Sequence, residues 1–127
     1  MLVKEIDINC DVGEGMLVEN QLFSYISSCN IACGGHYGDD VSMQRTIVLA
    51  KENTVKIGAH PSYPDKENFG RKSISISDND LMQSITSQLL NFELILGKMA
   101  TKLQQSSLIS LQHRCLNLKK MHRVMWC

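Results

Sequence analysis

The chain has 127 residues, 43% hydrophobic and 20% charged, with thirteen basic and thirteen acidic side chains and no formal net charge. These figures describe one small domain of ordinary globular composition and exclude a dominant basic surface for nucleic acid or an anionic membrane. No apolar run approaches the roughly 18 residues that cross a bilayer. Acids stand near the start, where a signal peptide is apolar, so a cytoplasmic protein is expected.

The five cysteines are an odd count without a secretion signal and read as reduced thiols. Cys29 and Cys33 lack a second Cys/His pair at zinc-finger spacing, so they and Cys10 read as small buried apolar groups. The neutral total hides an asymmetry: residues 1–93 hold every acid, whereas residues 94–127 hold six bases and none.

Residues 3–10, with Ile6 and Ile8 in alternation, predict a first strand. Asp11-Val12-Gly13-Glu14-Gly15 ends it. Residues 19–27 place Leu22, Phe23 and Ile26 at helical spacing. The apolar run 29–33 predicts a second, buried strand. After the loop Gly34-Gly35-His36-Tyr37-Gly38, Asp39 or Asp40 caps a helix running to about Asn53 and burying Val41, Ile47, Val48 and Ala50. Residues 55–59 predict a third strand, and Pro61 and Pro64, two prolines in four residues, fix the path of its exit loop. Ser77-Asp78-Asn79-Asp80 resembles a capping box. Leu81, Ile85, Leu89, Phe92 and Leu96 follow at spacings of three and four, a long amphipathic helix. Residues 107–111 predict a fourth strand.

Strands alternating with helices predict an α/β fold with a parallel sheet. The polar residues cluster just after the carboxyl ends of strands one to three, the edge where such folds build their sites. Asp11, His36 and His60 converge there, and a carboxylate with two imidazoles can either hold a divalent metal or move protons. Glu14 stands in the same glycine-flanked turn as Asp11. Asn9, Asn30 and Asp39 are placed to line the site, although Asp39 and Asp40 also suit helix caps. Tyr63 and Asp65 shape the proline turn. In Phe69-Gly70-Arg71, the guanidinium offers a planar fork for a carboxylate or phosphate. No phosphate-binding glycine loop, dinucleotide fingerprint or serine nucleophile elbow occurs.

Three stretches resemble one family. They are Ile6-Asp7-Ile8-Asn9-Cys10-Asp11-Val12-Gly13-Glu14-Gly15, then Asn30-Ile31-Ala32-Cys33-Gly34-Gly35-His36-Tyr37-Gly38-Asp39, then Gly58-Ala59-His60-Pro61-Ser62-Tyr63-Pro64-Asp65 with Phe69-Gly70-Arg71. Order and spacing are those of the LamB/YcsF family, to which the A subunits of bacterial ATP-dependent 5-oxoprolinase belong. The resemblance implies a distorted (β/α) barrel of parallel strands related to polysaccharide deacetylases, of which residues 1–112 form roughly the N-terminal half. It implies cleavage of 5-oxo-L-proline to L-glutamate, ATP as co-substrate, and two further subunits, B and C. Catalytic roles then fall on Asp11, Glu14, His36 and His60, and substrate contacts on Asp39 and Arg71, to which position alone adds Asn9 and Asn30.

Gly35 and Tyr37 depart from the family's Cys-Gly-Phe-His-Ala-Gly-Asp, which implies repacking around His36. From about residue 113 the chain leaves the family pattern. Residues 113–127 read as an aberrant basic tail of the kind a frameshift produces, so a shortened subunit, inactive alone, is expected. Two alternatives stay open. One is a metal-dependent amide or ester hydrolase of the deacetylase type, with Asp11, His36 and His60 as ligands. The other is a non-catalytic remnant that binds partner subunits.

Overall fold

The structure, a computed structural model, describes residues 6–99. The predicted alternation is present there: β1 (Asn9–Val12), α1 (Glu19–Leu22), β2 (Ser28–Ala32), α2 (Asp40–Glu52), β3 (Lys56–His60) and α3 (Asp78–Lys98). The three strands form one parallel sheet in the order β1-β2-β3. The fourth predicted strand and the basic tail lie outside the described residues.

The register divides the sheet into two chemically different faces. Cys10 pairs with Cys29 and Val12 with Ile31, while Ile57 and Ala59 continue the same rows on β3. Side chains alternate along a strand, so these residues share one face. It packs with Phe23, Met43, Ile47, Phe92, Ile95 and Leu96 into the core. The other face carries Asn9, Asp11, Ser28, Asn30, Lys56, Gly58 and His60, with buried Ala32 beside His60, and is mostly polar. Helix α2 packs on β2 and β3, and α3 packs on α2. No helix among the described residues is long and apolar enough to cross a membrane.

Several predicted boundaries are corrected. Strand β1 begins at Asn9 and runs on to Val12, with Ile6 and Ile8 exposed ahead of it; residues 3–5 lie outside the described residues. The first helix closes at Leu22, and Phe23 and Ile26 enter the core from the turn that follows. In α2 the buried positions are Met43, Thr46, Ile47 and Ala50, a stripe at spacings of three and four. Val41 and Val48 lie off that stripe and are exposed, contrary to expectation. In α3 the stripe is Ile85, Gln88, Phe92, Ile95 and Leu96, with Leu89 partly buried beside it.

Both predicted caps form. The Asp39 carboxylate accepts from the Ser42 N–H at 2.8 Å, and the Ser42 hydroxyl accepts from the Asp39 N–H at 2.8 Å. At α3, Ser77 Oγ accepts from the Asp80 N–H at 3.1 Å and donates to the Asp80 carboxylate at 2.6 Å. Each cap satisfies amide groups that the first helical turn leaves unpaired.

Candidate functional site

Glu14, His36 and His60 meet beyond the carboxyl end of the sheet. His60 is the last residue of β3, and Glu14 and His36 stand in the loops after β1 and β2. Glu14 is held by its backbone. Gly13 and Gly15 on either side have φ of 77° and 78°, and the Glu19 carboxylate at the start of α1 accepts from the Gly13 and Glu14 N–H groups. Such positive φ values favour glycine. The turn thereby aims the Glu14 side chain inward.

His36 is 3% exposed. Its Nε2 lies 2.6 Å from Glu14 Oε1 and its Nδ1 lies 2.7 Å from Ser62 Oγ. An ionised carboxylate only accepts, so the proton between Glu14 and His36 belongs to Nε2. In neutral His36, Nδ1 then accepts from the Ser62 hydroxyl. The His60 ring meets that of His36 edge-on, with centroids 4.9 Å apart. His60 Nε2 lies 3.6 Å from both Glu14 Oε1 and Asp11 Oδ2. Burial pushes the His60 imidazole below its ordinary value of 6.5; Asp11 and Glu14 pull it up, and His36 adds to the lowering. A neutral His60 at pH 7 has a free base to offer.

Two partners that the sequence reading missed hold this arrangement. Ser62 is buried just after β3, and Gln88 reaches it from α3. Gln88 Oε1 accepts from the Ser62 N–H at 3.0 Å and Gln88 Nε2 donates to the Ser62 carbonyl at 2.8 Å. The side-chain amide thus pairs with both polar atoms of the Ser62 backbone. The signal that could have found it was an amide on the apolar stripe of α3, three residues after Ile85 and four before Phe92. Gly35 closes the same corner: a Cβ there would stand 2.6 Å from Ser62 Oγ and from Gln88 Oε1.

The remaining predicted residues surround this centre. Asn9 donates to Ser28 Oγ at 2.9 Å and accepts from Asn30 Nδ2 at 2.8 Å. Asn30 Nδ2 also lies 3.1 Å from Asp11 Oδ1. These three residues form a polar row across β1 and β2 that leads towards His60. Asp11 approaches His60, whereas the carboxylate shared by the two histidines is Glu14. Asp39 is the cap of α2. Phe69 packs edge-on against His36 with centroids 4.8 Å apart, and the Arg71 guanidinium lies 5.3 Å from the centre of the Phe69 ring. Arg71 therefore brings its charge to the rim. In the proline turn, Asp65 Oδ1 accepts from Asn68, while Asp65 Oδ2 is buried with no hydrogen-bond partner among the described residues.

Both imidazoles and the carboxylate present one ligand atom each, all within 4.8 Å of one another. Among the described residues this is the set that could hold a metal, and it substitutes Glu14 for the Asp11 of the sequence-based ligand set. The cysteines among the described residues are outside this set: Cys29 and Cys33 are buried free thiols in and beside β2, and Cys10, expected to be buried, is half-buried in β1.

The profile of the LamB/YcsF family matches residues 6–112. The A subunit of 5-oxoprolinase from Haemophilus influenzae (strain PittEE) is 47% identical over 87 residues, which are 68% of this chain and 36% of that protein. That of Pyrococcus abyssi (strain GE5 / Orsay) is 42% identical over 89 residues, 66% of this chain and 35% of the relative. The chain thus spans little more than a third of the length of these relatives. The crystal structure of the lactam utilization protein from Thermus thermophilus superposes with a TM-score of 0.71 at 30% identity, covering 79% of this chain and 42% of that one. The profile match takes in all three loops that meet at Glu14, His36 and His60, and by it this chain belongs to the LamB/YcsF family.

Proposed function

We propose that this chain is part of the A subunit of an ATP-dependent 5-oxoprolinase, which opens the lactam ring of 5-oxo-L-proline to give L-glutamate together with the B and C subunits. The observation that carries the reading is the convergence of Glu14, His36 and His60 at the carboxyl edge of the sheet. It is supported by the names of the relatives, which are A subunits of 5-oxoprolinase and a lactam utilization protein.

A lactam carbonyl is a poor electrophile because nitrogen donates into it. Transfer of a phosphoryl group from ATP to the lactam oxygen would make the carbon more electrophilic, and that is the chemistry ATP supplies. Once water has added and the C–N bond has broken, a second water releases phosphate from the acyl phosphate, so the products are glutamate, ADP and phosphate. The residues of this chain then act on water and protons. His60, neutral and partly exposed, takes the proton of the attacking water at Nε2, and the nearby Asp11 and Glu14 carboxylates stabilise the imidazolium that forms. Glu14 and Ser62 hold the His36 ring between them. The His60 imidazolium then returns its proton to the ring nitrogen as the C–N bond breaks, while His36, hydrogen-bonded to Glu14, holds the carboxylate that faces it. Arg71 at the rim suits the substrate carboxylate or a phosphate, and the Asn9–Asn30–Asp11 row lines the approach.

The test is glutamate formation from 5-oxo-L-proline and ATP by a full-length A subunit with its B and C partners. The histidines aligned with His36 and His60 are each replaced by alanine. General acid–base roles predict kcat lower by about 10²–10⁴-fold with an unaltered fold. Undiminished turnover in either variant overturns the assignment.

A further inference from the structure

We propose that Glu14, His36 and His60 bind one divalent transition-metal cation, with Ser62 and Gln88 as the supporting layer. This goes beyond the lactam reading and does not rest on it; when the cation is bound, the His36 and His60 Nε2 atoms are its ligands, and the proton and hydrogen-bond roles given to them above belong to the metal-free site. Imidazole nitrogens with one carboxylate are the ligand mixture of zinc and its neighbours, not of magnesium or calcium, which favour oxygen alone. With neutral histidines, Glu14 and the adjacent Asp11 supply two negative charges facing a doubly positive ion.

The distances fit. Bonds of about 2.0–2.1 Å in tetrahedral geometry place ligand atoms about 3.3 Å apart. The His60–Glu14 separation is already 3.6 Å. The His36–Glu14 pair, now hydrogen-bonded at 2.6 Å, would open by less than about 1 Å, within reach of a carboxylate rotation. Three protein ligands leave a fourth position open to water or substrate, as catalytic rather than structural sites do.

Ser62 supplies an independent observation. Metal-binding histidines use their second ring nitrogen to hydrogen-bond a partner that fixes the ring, and His36 Nδ1 has such a partner in buried Ser62. The Ser62 hydroxyl lies 2.7 Å from His36 Nδ1 and 3.3 Å from the Tyr63 carbonyl. With a proton on His36 Nε2, the hydroxyl donates to Nδ1. With a cation on Nε2, the ring proton moves to Nδ1 and is donated to Ser62 Oγ, whose own hydrogen turns to the Tyr63 carbonyl. Both states are fully hydrogen-bonded without backbone movement, because Gln88 clamps the Ser62 backbone in each.

The experiment titrates the whole chain, labelled with ¹⁵N-histidine, with Zn²⁺ and follows the imidazole nitrogens by NMR; Co²⁺ absorption reports any thiolate ligand. The chain has four histidines, so the tail residues His113 and His122 are internal controls. The expected result is that the His36 and His60 Nε2 signals move together and saturate at about one equivalent, with no thiolate charge-transfer band. Ser62→Ala should weaken binding by about 10–100-fold, and Glu14→Gln should weaken it further. Movement of the His113 and His122 signals alone, a thiolate band, or unchanged affinity in Glu14→Gln would each overturn the site. These readouts need no substrate, so failure of the metal site is distinguishable from failure of the lactam reading.

Discussion

Replacing Gln88 by leucine removes the amide that pins Ser62, and with it the support of His36. Gln88 is 9% exposed and Ser62 5%, so the Ser62 N–H and C=O would be left without water or another partner. Each buried polar group so stranded costs about 1–3 kcal/mol, giving about 2–6 kcal/mol for the two. Burial of leucine in place of the amide returns about 1–2 kcal/mol. The expected net loss is therefore about 1–4 kcal/mol. Urea unfolding followed by circular dichroism measures it; with a slope of about 1–2 kcal/mol per molar for a domain of this size, the midpoint falls by about 0.5 M or more. Gln88→Glu sharpens the test. A protonated carboxyl can donate and accept much as the amide does, so this variant should regain stability relative to wild type as the pH falls. Ser84→Ala, which removes only a 3.2 Å bond to Gln88 Nε2, should cost less than about 1 kcal/mol. A loss below about 0.5 kcal/mol in Gln88→Leu would refute the claim that this pairing holds the corner of the site.

Ile47→Ala, at a fully buried position of α2, should cost about 2–5 kcal/mol, whereas Val41→Ala, 73% exposed, should stay within about 0.5 kcal/mol; equal effects would mean that the helix face is wrongly assigned. Burial pushes the thiols of Cys29 and Cys33 up to about 12. Iodoacetamide at pH 8, followed by mass spectrometry, should therefore leave both unmodified in the folded chain and alkylate them in urea. Because His60 titrates below 6.5 when folded, the unfolded chain binds this proton first. Stability should fall as the pH drops from about 6.5 towards the lower folded value. His60→Gln should flatten that part of the pH–stability curve, although Asp11, Glu14 and His36 face the same ring; an unchanged slope would contradict the shift.

The amino-acid sequence by itself determined the order of strands and helices, both helix caps and the three loops that meet at Glu14, His36 and His60. Each depends on neighbours a few residues apart: a capping oxygen reaches the third amide, an apolar stripe repeats every three or four positions, and a glycine opens a turn locally. It also carried the family, because the motifs around Glu14, His36 and His60 are contiguous. Which carboxylate the two histidines share was not written there. Asp11 ends up pointing along the polar face of the sheet while the Gly13–Gly15 turn, tied down by Glu19, swings Glu14 between the imidazoles. The sequence also put Val41 and Val48 in the core of α2, whereas packing against β2, β3 and α3 selected the stripe of Met43, Thr46, Ile47 and Ala50. The Ser62–Gln88 pairing joins residues 26 positions apart. Such contacts depend on how the third loop and the last helix dock on the sheet, and that docking is set by tertiary packing rather than by local preference.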